Sequence, residues 1–157
     1  MTPAINELKK RKITFSIHEY EHDKQCTNFG EEAATKLHLD PASVFKTLLV
    51  SDDKNVFVCI VPVTGTLNLK RAASALKVKK LRMADTKEAE RLTGYLVGGI
   101  SPIGQKKRLV TCIDQSATAH STLYVSGGQR GLDIGLAPND LSMICRNAMF
   151  ADIAEHK

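Results

Sequence analysis

Val44-Phe45-Lys46-Thr47-Leu48-Leu49-Val50 is an almost unbroken apolar run, and Val56 to Val63 is a second one a short polar stretch later. Runs this short and this continuous read as strands with both faces buried. No helix fits between them. Working outward, Thr2 before Pro3 marks a helix start, with Ile5 and Leu8 as its buried stripe. Phe15 to Tyr20 reads as a strand. Asn28 with Glu31 resembles a capping box that opens a helix through Ala33, Ala34 and Leu37. Leu69, Ala72, Ala73 and Leu76 form a helical stripe, and Asp85 with Glu88 opens another helix that ends near Gly94. Strands are predicted at Tyr95 to Gly99, Arg108 to Asp114 and Thr122 to Ser126. Leu141, Ile144, Cys145 and Ala148 mark a last helix before Phe150 to Ile153. This order predicts an α+β fold: a mixed, mostly antiparallel curved sheet or closed barrel flanked by short helices.

Composition bounds the rest. A chain of 157 residues suits one domain with a real core, taken here as 1–157. The excess of 22 Lys+Arg over 17 Asp+Glu gives a net charge of +5, which favours polyanionic partners. The cations cluster at Lys9-Lys10-Arg11-Lys12, at Lys77, Lys79, Lys80 and Arg82, and at Lys106-Lys107-Arg108. On one face, three such clusters would track a phosphate backbone; singly, each is a solvated surface. No apolar stretch is long enough for a membrane span, and Lys9 to Lys12 interrupt any signal-peptide core. No membrane partner and a cytoplasmic location are therefore expected. Cys26, Cys59, Cys112 and Cys145 form no CxxC pair, so neither disulfides nor a zinc site is expected.

Chemistry concentrates in three places. Tyr95-Leu96-Val97-Gly98-Gly99-Ile100-Ser101-Pro102 breaks an apolar run with paired glycines and a stiff proline, before Lys106 to Arg108. Such a loop offers accessible amides beside cations, or else it is a tight turn with a solvated basic edge. Lys46 interrupts a run that otherwise reads as core. A buried ammonium must reach water, an acid or an anion, so Lys46 either snorkels out or stands at a pocket mouth. Val125-Ser126-Gly127-Gly128 offers a hydroxyl and amides after a strand, as an oxyanion wall or as a plain glycine turn. The sequence contains no GxSxG and no phosphate-loop motif. His18 and His22 are a weak metal pair, expected to share one face of a strand at some distance.

His18-Glu19-Tyr20-Glu21-His22-Asp23, Thr27-Asn28-Phe29-Gly30, Val44 to Leu48, Thr93 to Pro102, Tyr124 to Gly128 and Arg130-Gly131-Leu132-Asp133-Ile134 follow one another along the chain. Together, from Thr2-Pro3-Ala4 to Phe150-Ala151-Asp152-Ile153, they resemble the YbaK family, in the superfamily of YbaK and prolyl-tRNA synthetase editing domains. The superfamily's lysine falls on Lys46 and its GxxxP loop on Gly98 through Pro102. The resemblance implies a mixed α/β fold around a closed or nearly closed barrel. It also implies removal of cysteine from mischarged Cys-tRNA(Pro), with Cys-tRNA(Cys) as a further substrate, and a transient complex with prolyl-tRNA synthetase. Cysteine and proline are close in size, so a pocket alone separates them poorly. Lys46, Gly98, Gly99, Ile100, Ser101 and Pro102 are the implied catalytic set. Tyr20, Phe29, Thr47, Ser126, Gly127 and Asp133 are the implied substrate-binding set. No cofactor is implied. With no protein nucleophile evident, the substrate's own thiol is the expected nucleophile, since a thiol with pKa near 8.5 is partly ionised at neutral pH. The alternatives are attack by water, with another small amino acid such as alanine as target, and a non-catalytic tRNA- or nucleotide-binding module.

Overall fold

Thr2 starts the first helix: its Oγ1 accepts the Ile5 N–H at 3.3 Å, and Pro3 takes the position where a missing N–H costs nothing. In the computed structural model, which describes residues 1–146 and 148–156, this is α1 (Pro3–Lys10). There follow β1 (Ser16–Glu19), α2 (Phe29–Lys36), β2 (Phe45–Ser51), β3 (Val56–Pro62), β4 (Gly65–Leu67), α3 (Leu69–Leu76), β5 (Arg82–Met83) and α4 (Thr86–Thr93). The second half adds β6 (Thr111–Asp114), β7 (Leu123–Gln129), β8 (Leu132–Leu136), α5 (Pro138–Ile144), β9 (Met149–Ala151) and β10 (Ala154–His156).

Five strands form one sheet in the order β5-β2-β3-β6-β9. Its β2–β3 and β2–β5 pairs are antiparallel, and its β3–β6 and β6–β9 pairs are parallel. A second sheet, β1-β8-β7, is antiparallel, and β4 pairs with β10. A bridge from Val44 to Tyr124 joins the two larger sheets. The expected mixed, mostly antiparallel α+β architecture is present as a curved sheet. The closed-barrel form is not: β1, β5 and β9 remain edge strands, and closure leaves no edges.

Alternation along β2 and β3 explains their apolar continuity. Phe45, Leu49, Val58 and Ile60 join one core with α1, α5 and the β7–β8 hairpin, whereas Val50, Cys59 and Val61 join a second core with α3 and Ile153. A strand covered on both sides has no polar face. Thr2 ties the first core together, because its Oγ1 also donates to the Gly127 carbonyl in β7. Thr2→Val keeps the shape and leaves both backbone groups unpaired. A loss of about 1–3 kcal/mol is expected, seen as a lower urea midpoint at constant slope. An unmoved midpoint would mean that water replaces both bonds.

Several expected elements differ. Tyr95 to Gly99 is a loop rather than a strand, because side chains take its backbone groups before a neighbouring strand can. Glu90 Oε2 accepts the Val97 N–H at 2.8 Å, and Arg130 Nη2 donates to the Val97 carbonyl at 2.7 Å. The Gly99 N–H closes back on Leu96. The strand expected from Arg108 begins only at Thr111, because the Lys107 N–H is drawn to the Leu92 carbonyl. Asn28 sits at the N-cap of α2 but makes no capping bond. Gly127 and Gly128 lie inside β7, where the pairing with β8 shifts between Ser126 and Gln129, so this glycine pair is a bulge. The last helix stops at Ile144, and Cys145 is extended, its Sγ facing the Pro102 carbonyl. β1 ends at Glu19, so His22 lies beyond the strand and does not share a face with His18.

Candidate active site

A cavity of about 310 Å³ opens between β2, the start of α2, the 95–104 loop and the β7–β8 hairpin. Eight of the residues expected at a site line it: Tyr20, Phe29, Lys46, Thr47, Gly98, Ile100, Ser126 and Asp133. Four do not. Ser101 is fully buried behind the wall, its Oγ accepting the Ile103 N–H. Pro102 lines a different cavity. Gly99 packs on the backbone of Gln129 and Arg130, and its N–H is already given to Leu96. Gly127 turns its carbonyl to Thr2. The expected set is thus split: one part faces the cavity, and the other holds that wall from behind.

The loop is braced at several points. Glu90 and Arg130 grip Val97 from opposite sides, and the Tyr95 hydroxyl donates to the Ile103 carbonyl at 2.6 Å. Gly98 takes a φ of +92°, a conformation open to glycine at little cost. A Cβ there would stand 2.5 Å from Arg130 Nε and 2.9 Å from the Phe29 ring. No acceptor among the described residues engages the Gly98 or Ile100 N–H, so both amides remain available to an anionic oxygen.

The ionisable side chains of Lys46 and Asp133 line the same cavity. Lys46, half-buried at the start of β2, pairs in register with Val61. Asp133 occupies the central strand β8 opposite both His18 and Ser126, and it is 6% exposed. Burial pushes its carboxyl up to about 7. Tyr20 is pushed up to about 12, by burial first and then by the charge of Asp133. It is therefore a neutral hydroxyl at any physiological pH. Thr47 Oγ1 is buried with no hydrogen-bond partner among the described residues, a cost that a ligand's polar group would relieve. Neither cysteine nor histidine lines the cavity.

The wall contributed by residues 20–29 is itself anchored. Glu32 accepts the Asp23 N–H at 2.8 Å, stands 2.7 Å from His22 Nδ1 and 3.1 Å from Lys36 Nζ. Burial works against its ionisation, but these partners outweigh that and hold the carboxyl below its ordinary range. Phe29 lies between His22, at 5.7 Å, and the Arg130 guanidinium, at 5.0 Å. Glu32, Glu90 and Arg130 are supports that sequence reasoning did not place at the site. Arg130 alone carried a signal, standing beside the second glycine pair. The two glutamates sit on helices with nothing to distinguish them from solvated charges.

Residues 23–144 match the profile of the aminoacyl-tRNA editing domain. The chain is 33% identical over 153 residues to EbsC of Enterococcus faecalis, described as a candidate Cys-tRNA(Pro)/Cys-tRNA(Cys) deacylase. That match covers 97% of this chain and 92% of the relative. Among solved structures, hypothetical protein APE2540 superposes with a TM-score of 0.85 at 26% identity, covering 98% of this chain and 99% of that one. A candidate trans-editing enzyme for prolyl-tRNA synthetase gives 0.84 at 22% identity, covering 99% of each chain.

Proposed function

The chain belongs to the aminoacyl-tRNA editing domain family, and on that premise we propose that residues 1–157 form one editing domain that deacylates Cys-tRNA(Pro), with Cys-tRNA(Cys) as a second substrate. The observation that carries this reading is a small cavity with two available amides, a lysine and no cysteine or histidine. An aminoacyl ester needs modest activation, and here the nucleophile comes with the substrate. The cysteine Sγ, as thiolate, attacks its own ester carbonyl. A carbon–sulfur bond forms, the ester carbon–oxygen bond breaks, and the ribose oxygen leaves with a proton as the free 3′ end of the tRNA. Water then opens the cyclic thioester to free cysteine. The Gly98 and Ile100 amides receive the developing oxyanion. Lys46 holds the phosphate or ribose of the terminal adenosine, Thr47 and Tyr20 give polar contacts to the aminoacyl end, and Phe29 closes the apolar side. Ser126 shapes the floor beside Asp133, whose partly protonated carboxyl orients the α-amino group or accepts the thiol proton. Ser101, Pro102, Gly99 and Gly127 act by holding the loop and the bulge in place. Prolyl-tRNA synthetase, the source of the mischarged tRNA, is the transient partner.

Asp133 also supports a second reading, because a carboxyl that titrates near neutrality suits a base for attacking water. Incubation of the purified protein with Cys-, Ala- and Pro-tRNA(Pro), and with Cys-tRNA(Pro) alkylated on sulfur, separates the two. Thiol assistance predicts loss of cysteine alone and none from the alkylated ester. Turnover of the alkylated ester, or of Ala-tRNA as fast as Cys-tRNA, would replace thiol assistance with water attack. No turnover of any ester would make the protein a binding module. In the same assay Lys46→Ala is expected to lower kcat/KM about ten- to a hundredfold, the range of one charged contact worth about 1.5–3 kcal/mol. An unchanged value would remove Lys46 from the site.

A further inference from the structure

Behind the 95–104 loop lies a second groove, of about 350 Å³, between α1, the residues that follow the loop and the end of α5. Lys10, Arg108 and Arg146 line it with one carboxylate, Glu7. Glu7 stands 3.6 Å from Arg11, which offsets its charge. None of the three cations forms an ion pair among the described residues. Arg108 Nη2 donates to the Ile144 carbonyl at 2.9 Å, and Arg146 Nη1 donates to the Arg108 carbonyl at 3.2 Å. Each guanidinium is therefore tethered by one hydrogen bond and keeps its remaining donors. Asn6 and Gln105 add side-chain amides to the walls. The fold thus brings together the first and third of the basic sequence clusters. The middle one lies elsewhere, at the end of α3 and in β5.

We propose that this groove is a phosphodiester site for the tRNA substrate, a contact that adds affinity without touching the reacting ester. Ile100 lines the catalytic cavity and Pro102 lines the groove, so their Cα atoms lie at most about 7 Å apart. A nucleic-acid strand advances about 3.4 Å per nucleotide. A tRNA whose 3′ end fills the cavity therefore carries phosphates within a few nucleotides of the groove. Tethered arginines without carboxylate partners suit a phosphodiester, which they can contact bidentately. The groove rests on the proposed tRNA substrate, but its test does not depend on turnover.

The experiment measures binding of uncharged tRNA by anisotropy across a salt series, for wild type, Lys10→Glu/Arg146→Glu and a charge-matched control, Lys54→Glu/Lys70→Glu. All four positions are exposed, and the control pair lies in the β2–β3 turn and on α3. The groove variant is expected to bind about tenfold or more weakly, with a salt slope shallower by one to two, while the control stays within about twofold. Turnover of cysteine esterified to adenosine alone should be unchanged in the groove variant, because that ester has no phosphate to reach the groove. Equal weakening in both variants would reduce the effect to net charge and overturn the site. Unchanged tRNA binding in the groove variant would also overturn it, as would a parallel loss on the adenosine ester. Wild-type protein that binds tRNA through the groove but deacylates nothing would sink the proposed enzyme and leave the groove standing.

Discussion

Gly98→Ala is expected to lower kcat/KM on Cys-tRNA(Pro) by about a hundred- to a thousandfold while the protein stays folded. The added Cβ meets Arg130 Nε at 2.5 Å and the Phe29 ring at 2.9 Å, at a φ of +92° that side-chain-bearing residues rarely hold. Strain of about 1–3 kcal/mol falls on one half-buried loop position, too little to unfold the chain. The loop relieves it by moving, and movement carries the Gly98 and Ile100 amides away from the oxyanion. Loss of one such donor costs about a hundred- to a thousandfold. The effect should appear in kcat, with tRNA binding kept, because the groove behind the loop does not include Gly98. A variant with normal kcat would show that the oxyanion lies elsewhere.

Asp133→Asn is expected to stabilise the protein at pH 8 by a few kcal/mol and to leave it nearly unchanged at pH 4. Burial lifts the carboxyl from its ordinary 3.8 to about 7. Between those values the unfolded chain has released its proton and the folded protein keeps it. Wild-type stability therefore falls as pH rises through this window, and the loss is complete above about pH 7. At about 1.36 kcal/mol per pH unit the upper bound is about 4 kcal/mol. Asparagine cannot ionise, so the variant should lack the fall that Asp133 causes as pH rises through this window. Denaturant titrations at pH 4, 6 and 8 decide the matter, and a wild-type curve that runs parallel to the variant's would refute a buried carboxyl with a raised pKa. The same substitution should remove any inflection near pH 7 from the rate profile. That inflection is what separates an active-site carboxyl from one that only burdens the fold.

Some of this site was open to sequence reading and some was not. Lys46 stood out because a cation in an apolar run demands an explanation, and Gly98 because paired glycines before a proline break a strand-like pattern. Thr47, Tyr20 and Asp133 carry no such signal in composition or periodicity. They became site residues through the resemblance to the YbaK family, and the fold then placed all three on one cavity. Ser101 and Pro102 belong to the same motif, yet they face away from it, because a loop has two sides and one-dimensional spacing does not say which is which.

Local order was set within the sequence by short-range physics. Caps at Thr2, Asn68 and Asp85 accept backbone N–H groups three residues on. The apolar runs of β2 and β3 require cover on both faces whatever covers them. Tertiary structure decided what long-range partners control. Val97 failed to become strand because Glu90, seven residues back, and Arg130, 33 residues ahead, satisfy its backbone. Residues 132–136 became a fully buried central strand only because β1 and β7 flank it. The raised pKa of the Asp133 carboxyl and the convergence of Lys10 with Arg108 follow from that same folding. Burial and proximity belong to the assembled chain, whereas capping and periodicity are complete within a few residues.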